Sequence, residues 1–368
     1  MKRKFLFLLA SCTALFSHAQ MTIWPAGDPA LAVLNHLAGP NVSLSNVFSQ
    51  TIDPNQYGIF HDSTSTLGVD SGLVLSTGIC YGVIGPNTIP NATIGGGQFG
   101  GDPDLMTMSP LYPSSLGDPG IVQMDLVPLG DTLTVRYVFG SEEYDEYACS
   151  SKDDRMGMFL SGPGLGGAFT NGGINMATLP ISGLPVTVNT LNRGTAGSEG
   201  NLGLCGMNPG WEQDTIYYIN NDFGIVTQLD GYTVVLTAKA VVQPGATYHL
   251  KIAIADVNDA NFDSAIFLPE GAISCTELST GIDHSGWPAQ QNMWFDALAR
   301  VVNIGGFTAE GGPVQVEAFD PSGRLLQRSA AQANGASCVV PIIASASGII
   351  IIHATQRDRV VTGRVFVR

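Results

Sequence analysis

Two short stretches of this sequence are crowded with carboxylates. The first is Gly140-Ser141-Glu142-Glu143-Tyr144-Asp145-Glu146-Tyr147, with Asp153 and Asp154 close behind. The second is Asp256-Val257-Asn258-Asp259-Ala260-Asn261-Phe262-Asp263-Ser264. Four carboxylates within the five residues 142–146 repel one another unless a cation offsets them. Oxygen-bearing side chains at alternate loop positions suit a hard cation such as calcium, which takes roughly six to eight oxygens. Counting from Asp259 places Asp259, Asn261 and Asp263 at loop positions 1, 3 and 5, with Ile266 at 8 and Glu270 at 12. That partly copies an EF-hand loop, but Ser264 replaces the turn glycine and strands flank the loop, so a true EF-hand is not expected. Two readings stay open. In one, Glu142, Glu143 and Asp145 converge with Asp256, Asp259 and Asp263 on a calcium ion at one end of a sandwich. In the other, these are two separate solvated turns, neutralised by Arg155 or Lys152. Paired carboxylates could also serve glycosidase acid–base chemistry, provided that they face each other across a cleft.

Other chemistries leave less trace. Gly95-Gly96-Gly97-Gln98-Phe99-Gly100 has GxGxxG spacing, but a phosphate cradle needs a strand before it and a helix behind it. Here Asp102-Pro103-Asp104 puts carboxylates where the phosphate would sit, so a flexible surface loop is expected. No GxSxG elbow is present. His36, His61, His249, His284 and His353 are scattered and sit in no recognisable motif.

The composition narrows the setting. The chain has 368 residues, 31 acidic against 16 basic, a net charge of −15, and only 13% charged residues. An acidic chain lacks the Lys and Arg needed to displace counterions from nucleic acid or anionic lipid, so neither is expected as a partner. Lys2, Arg3 and Lys4 followed by the apolar run Phe5 to Phe16 and by Ser17-His18-Ala19 read as a signal peptide over residues 1–19. Removing it takes away three cations and leaves −18. Leu9-Ala10-Ser11-Cys12 is similar to a lipobox, a rival reading that shortens the apolar region to about five residues. No later run is long and apolar enough to span a bilayer, so the exported chain is not expected to be transmembrane. Cys80, Cys149, Cys205, Cys275 and Cys338 remain, without a CxxC pair. Export to an oxidising compartment favours disulfides over a structural zinc site, and an odd count leaves at least one thiol.

The elements that would carry these residues are mainly strands. One helix is expected, with Asp28 as N-cap, Pro29 in its first turn, Leu31, Leu34 and Leu37 on one face, and Gly39-Pro40 ending it. Along residues 131–139, Leu133, Val135, Tyr137 and Phe139 alternate onto one side. Strands over 232–242 and 247–255 joined through Pro244-Gly245 read as a hairpin, with Tyr248, Leu250, Ile252 and Ile254 facing one way and His249 and Lys251 the other. Many short strands and Gly-rich turns predict an all-β chain: a large β-sandwich or jelly-roll-like domain over 20–275, a linker over 276–293, and a small immunoglobulin-like sandwich over 294–368. In the last, strands are expected over 314–319, 348–353 and 360–367, with a type I turn at Asp320-Pro321-Ser322-Gly323.

Several ordered stretches also carry a family resemblance. Tyr137-Val138-Phe139-Gly140-Ser141-Glu142-Glu143-Tyr144, residues 158–164, Asn189-Thr190-Leu191-Asn192, Leu229-Asp230-Gly231-Tyr232 and residues 249–268 resemble the choice-of-anchor L domain. Residues 68–78 and Gly85-Pro86-Asn87 match its N-terminal part. The resemblance spans roughly 28–272; Met156-Gly157-Met158 departs from the usual apolar pattern. It implies a bacterial surface protein with a separate C-terminal anchor and no established reaction. Residues 319–326, 347–352 and the basic ending 364–368 are similar to type IX secretion sorting domains, although Trp287-Pro288-Ala289-Gln290-Gln291-Asn292 replaces the usual opening Asn-Pro motif. That similarity implies recognition by type IX secretion machinery, then release or attachment at the outer face of the outer membrane. Cys149 and Cys205 are the preferred disulfide, since each lies in a polar loop following a family-like strand segment. The expected function is a non-catalytic binding or adhesion module for a surface glycan or protein, stabilised by calcium in the first reading above; the alternative is a secreted polysaccharide-active enzyme.

Overall fold

The alternating stretches become strands because each buries one apolar face against a facing sheet. A computed structural model describes residues 21–51, 53–108, 115–276, 293–296, 299–321, 323–342 and 348–367. The expected leader with Cys12, and nearly all of the expected linker, lie outside them. The chain divides into two compact units, Met1–Ser279 and Thr280–Arg368.

The first unit is an antiparallel sandwich. One sheet runs, in spatial order, Thr22–Pro25, Tyr57–His61, Ser71–Ser76, Ser264–Pro269, Thr132–Ser141, Gly231–Thr233 and Tyr218–Asn220, with Leu236–Val241 and Ile273–Thr276 also paired to Thr132–Ser141. The other runs Val42–Thr51, Leu116–Pro128, Tyr248–Val257, Arg155–Ser161 and Ile174–Asn175. Leu133, Val135, Tyr137 and Phe139 from the first sheet share one core with Tyr248, Leu250, Ile252 and Ile254 from the second. Both sheets are also covered on their outer faces. Val138 and Phe267 pack with Phe60 on one side, while Phe159, Ala253 and Ala255 pack with Leu105 on the other.

Three local expectations change. The strands around Pro244-Gly245 do not form a hairpin: Leu236–Val241 pairs with Thr132–Ser141, whereas Tyr248–Val257 pairs with Leu116–Pro128 and Arg155–Ser161. The turn is a corner between sheets, because each strand's apolar face is buried by facing the other sheet rather than its sequence neighbour. The helix Pro29–His36 forms with Asp28 accepting from Ala30 N at 2.9 Å. However, Ala32, Val33 and Leu37 are buried while Leu31 and Leu34 are exposed. A spacing of three lags a helical turn by about 60° per step, so Leu31 and Leu37 cannot share a narrow face. Lys251 does point away from the sandwich core, yet a short helix at Pro103–Thr107 covers it. Its Nζ lies 2.6 Å from Asp102 Oδ2, 2.5 Å from Asp104 Oδ2, and 5.1 Å from the centre of the Phe159 ring.

The second unit is a smaller sandwich of two four-stranded antiparallel sheets. Strands Val314–Phe319, Gly348–Gln356 and Arg359–Val367 pair with one another and with Leu325–Ala331. The turn after Phe319 closes with Gly323 N donating to Asp320 O at 2.9 Å.

Cys149 and Cys205 are bonded to each other and pack against Trp211, while Cys80, Cys275 and Cys338 are free and buried. The bond closes a 56-residue separation. In the chain-entropy picture a loop of this size stabilises by up to about 4 kcal/mol. The Cys149→Ala/Cys205→Ala variant is therefore expected to melt roughly 5–15 °C lower than the oxidised wild type by calorimetry. An unchanged melting temperature would show that the bond does not constrain the unfolded chain.

Candidate functional site

Two strand registers bring the acidic stretches together. Ser264 pairs with Ser141 in one sheet, and Ala255 pairs with Arg155 in the other. The first leaves Glu142 and Glu143 just past the end of their strand, with Glu142 N donating to Asp263 O at 3.1 Å. The second sets Asp256 beside Asp154, one step beyond the last pair. A hydrogen-bond chain joins the two sheets here. Glu143 N donates to Ser141 Oγ at 2.9 Å, Ser141 Oγ lies 2.8 Å from Ser264 Oγ, and Ser264 Oγ donates to Asp154 Oδ2 at 2.7 Å. Val257 N donates to Asp154 Oδ1 at 3.0 Å.

The six acids expected to share a cation fall into four environments. Glu143 and Asp256 are fully buried, and among the described residues none of their four carboxylate oxygens has a hydrogen-bond partner. Glu142 and Asp263 are buried but held by backbone: Glu142 Oε2 accepts from Ala92 N at 3.3 Å and Asp263 Oδ2 from Ile94 N at 2.9 Å. Asp259 is ion-paired with Lys152. Asp145 lies apart, ion-paired with Arg193 at 2.5 Å and accepting from Tyr218 Oη at 2.9 Å. Arg155 is turned to Asp153, with Nε donating to Asp153 O at 3.2 Å. Neither basic residue near the loops therefore forms an ion pair with Glu143 or Asp256. Among the described residues no three His, Cys, Asp or Glu side chains make a ready metal-binding set, so the six do not converge on one ion.

Two acids carry more than their sequence positions suggested. Asp154, noted only as a neighbour of the first cluster, is the central acceptor between the sheets. Asp118 was missed. The glycine-rich loop closes over it, Gly97 N donating to Oδ2 at 2.7 Å and Gln98 N to Oδ1 at 2.9 Å. Gly95, Gly96 and Gly97 all have φ between 81° and 88°, where a side chain would be strained, and a Cβ on Gly96 would sit 2.2 Å from Asp118 Oδ2. The loop thus cradles an anion, as such backbone nests do, but the anion is internal. The helix Pro103–Thr107 behind it is likewise filled by its own residue, Asp102 accepting from Asp104 N and Leu105 N at 3.0 Å.

Asp145 and Arg193 instead line an open groove of about 640 Å³ with Asn87, Tyr144, Asp230 and Phe223. Phe223 is 92% exposed, at a positive φ of 62°. Asp230 accepts from Asn87 Nδ2 at 2.8 Å.

Burial dominates the electrostatics of the acids. It pushes Glu142 up to about 9, with the Asp230 charge adding to it, Asp263 up to about 7 and Asp230 up to about 6. Glu143, Asp154 and Asp256 are also raised, by burial first. Charge from Asp154 adds to the shifts of Glu143 and Asp256. The folded state therefore holds protons that the unfolded chain releases near pH 4. Stability relative to unfolding is full below that pH and falls as pH rises through about 6 to 9. In chelator-containing buffer the melting temperature of the first unit should decline steadily from pH 5 to pH 9; a flat or rising profile would contradict the burial of these acids.

With known structures the likeness is slight. A β-glucuronidase from Ruminococcus gnavus in complex with an N1-substituted uronic isofagomine has a TM-score of 0.22 at 9% identity, covering 74% of this chain and 45% of that one. Its apo form has a TM-score of 0.21 at 9% identity, over 88% and 46%. The chain thus spans less than half the length of these enzymes, and scores this low carry no argument about fold or activity. No curated protein matches the chain. The family comparison is of another order, because it runs over residues 29–274 and takes in both acidic stretches, the strands that align them and the groove. By that match the chain belongs to the choice-of-anchor L domain family.

Proposed function

We infer that the chain is an exported protein, displayed on or released from the outer face of the outer membrane, where it works as a non-catalytic binding or adhesion module. The family assignment supports the surface setting. The observation that carries the binding role is the groove beside Phe223. It offers an exposed aromatic face next to fixed polar groups, the combination that recognises a sugar ring or a protein side chain. Of the four carboxylates lining it, Asp145 accepts from Arg193 and Tyr218, Asp230 from Asn87 and Asp222 from Asn220. That arrangement favours recognition over the acid–base pair that a polysaccharide-active enzyme needs.

Arrays of glycans and surface proteins probed with residues 20–368 should yield ligands that Phe223→Ala binds at least about tenfold more weakly, the loss of roughly 1.4 kcal/mol of contact. Turnover of a polysaccharide by the wild type, or binding unaffected by Phe223→Ala, would overturn this reading.

The second unit is proposed as the sorting domain that type IX secretion machinery reads. Its support is the sequence similarity together with its own hydrophobic core, built around Val302, Ile304, Val316 and Ile352. Deleting residues 294–368 should trap the protein inside the outer membrane, as followed by surface labelling. Normal display of the deleted form would rule the sorting role out.

A further inference from the structure

The outer face of the second sheet holds a buried cluster that neither the groove nor the acidic stretches explain. Lys251 lies on Tyr248–Val257, and Asp102 and Asp104 lie at the start of the short helix that covers it. All three are buried. The Phe159 ring, packed on Phe169 with centroids 4.8 Å apart, walls the ammonium on one side. Lys251 Nζ reaches both acids through their Oδ2 atoms, Asp102 at 2.6 Å and Asp104 at 2.5 Å. Each Oδ1 is held by two donors: that of Asp102 by Asp104 N and Leu105 N, both at 3.0 Å, and that of Asp104 by Thr170 N at 2.7 Å and Thr170 Oγ1 at 2.8 Å. One ammonium thus faces two carboxylates in an apolar-walled site. Burial favours the neutral forms of an amine and a carboxyl, and fixed contact replaces a bimolecular encounter by a unimolecular one. Burial also raises Asp104, but Lys251 and Thr170 outweigh it and hold that carboxyl below its usual value, which leaves Asp102 as the group to take a proton.

We propose that the side chains of Lys251 and Asp102 join in an amide bond, with Asp104 as the base that relays the proton. Nζ first gives a proton to Asp102 Oδ2, leaving a neutral amine against a neutral carboxyl. The amine lone pair then attacks Asp102 Cγ, and the carbonyl electrons move onto Oδ1, where the Asp104 and Leu105 amides stabilise the charge. Asp104 Oδ2 takes a proton from the nitrogen and passes it to the Asp102 Oδ2 hydroxyl. That hydroxyl leaves as water as the C–O bond breaks and the carbonyl reforms. Asp104 ends as it began, and one water is lost per chain. The bond ties the covering helix to a strand of the sheet across a separation of 149 residues. It joins the chain's own side chains, turns over no external substrate, and is independent of what the groove binds.

The test is the intact mass of residues 20–368 with the disulfide oxidised, followed by peptide mapping of the reduced chain. The wild type should be one water lighter than its sequence, and one branched peptide should carry Lys251 joined to Asp102. Lys251→Arg keeps a cation against both acids but cannot form this amide, so it should show full mass, as should Asp102→Ala. Asp104→Asn keeps the side-chain shape and removes the base. Proton transfer by a placed side chain contributes about 10²–10⁴-fold, so this variant should be recovered mainly unbridged. Wild type at full mass, with Lys251 and Asp102 in separate peptides, would overturn the proposal without recourse to any variant and leave a buried ion-pair cluster. A bridge running to Asp104, or a branched peptide that persists in Lys251→Arg, would overturn it too, and full bridging in Asp104→Asn would overturn the role given to Asp104.

Discussion

The placement of buried carboxylates at the seam between two sheets is the constraint on which this structure turns. Two antiparallel registers, Ser264 with Ser141 and Ala255 with Arg155, bring together chain segments a hundred or more residues apart. A shift of one residue in either register would turn each strand's side chains to the opposite face. The register is held because both faces of both sheets are covered by apolar side chains, leaving no slipped pairing that keeps them dry. The hydrophobic core thus fixes the acids in place, and the acids must be compensated where the core puts them.

The compensation takes distinct forms. Backbone N–H groups hold Asp118 and Asp263, and for Asp118 the donors come from a glycine-rich loop whose left-handed backbone turns its amides inward. Cations hold Asp102, Asp104, Asp145 and Asp259. Hydroxyl and amide donors from both sides of the seam hold Asp154. Glu143 and Asp256 stand outside all three. With 16 basic residues against 31 acidic ones, the chain has too few cations to pair every acid.

The groove is separate from this seam, and its chemistry differs. Its acids are partly or fully exposed, Asp145 and Asp230 held by neighbouring donors, and Phe223 is held out from the surface rather than packed. A protein displayed outside the cell gains from that division, because the rigid, dry part of the fold positions a wet and chemically adaptable surface.

Much of the architecture was legible in the sequence. Period-two alternation located the core-facing sides of Thr132–Ser141 and Tyr248–Val257, since one buried face requires that pattern whatever the partner strand. The acidic stretches marked loops that meet at the ends of paired strands, Ser264 with Ser141 and Ala255 with Arg155. What pairs with what was not legible. The turn at Pro244-Gly245 has hairpin chemistry but joins different sheets, and the burying face of Pro29–His36 depends on the surface it meets. The sequence left open whether the six acids form one set or two separate turns neutralised by Arg155 or Lys152, and the fold separates them, giving Asp145 to Arg193 in the groove and Asp259 to Lys152, and leaving Glu143 and Asp256 buried without hydrogen-bond partners among the described residues. Local patterns report which residues must be buried or solvated. Only tertiary packing decides which donors reach a buried carboxylate, because those donors come from distant parts of the chain.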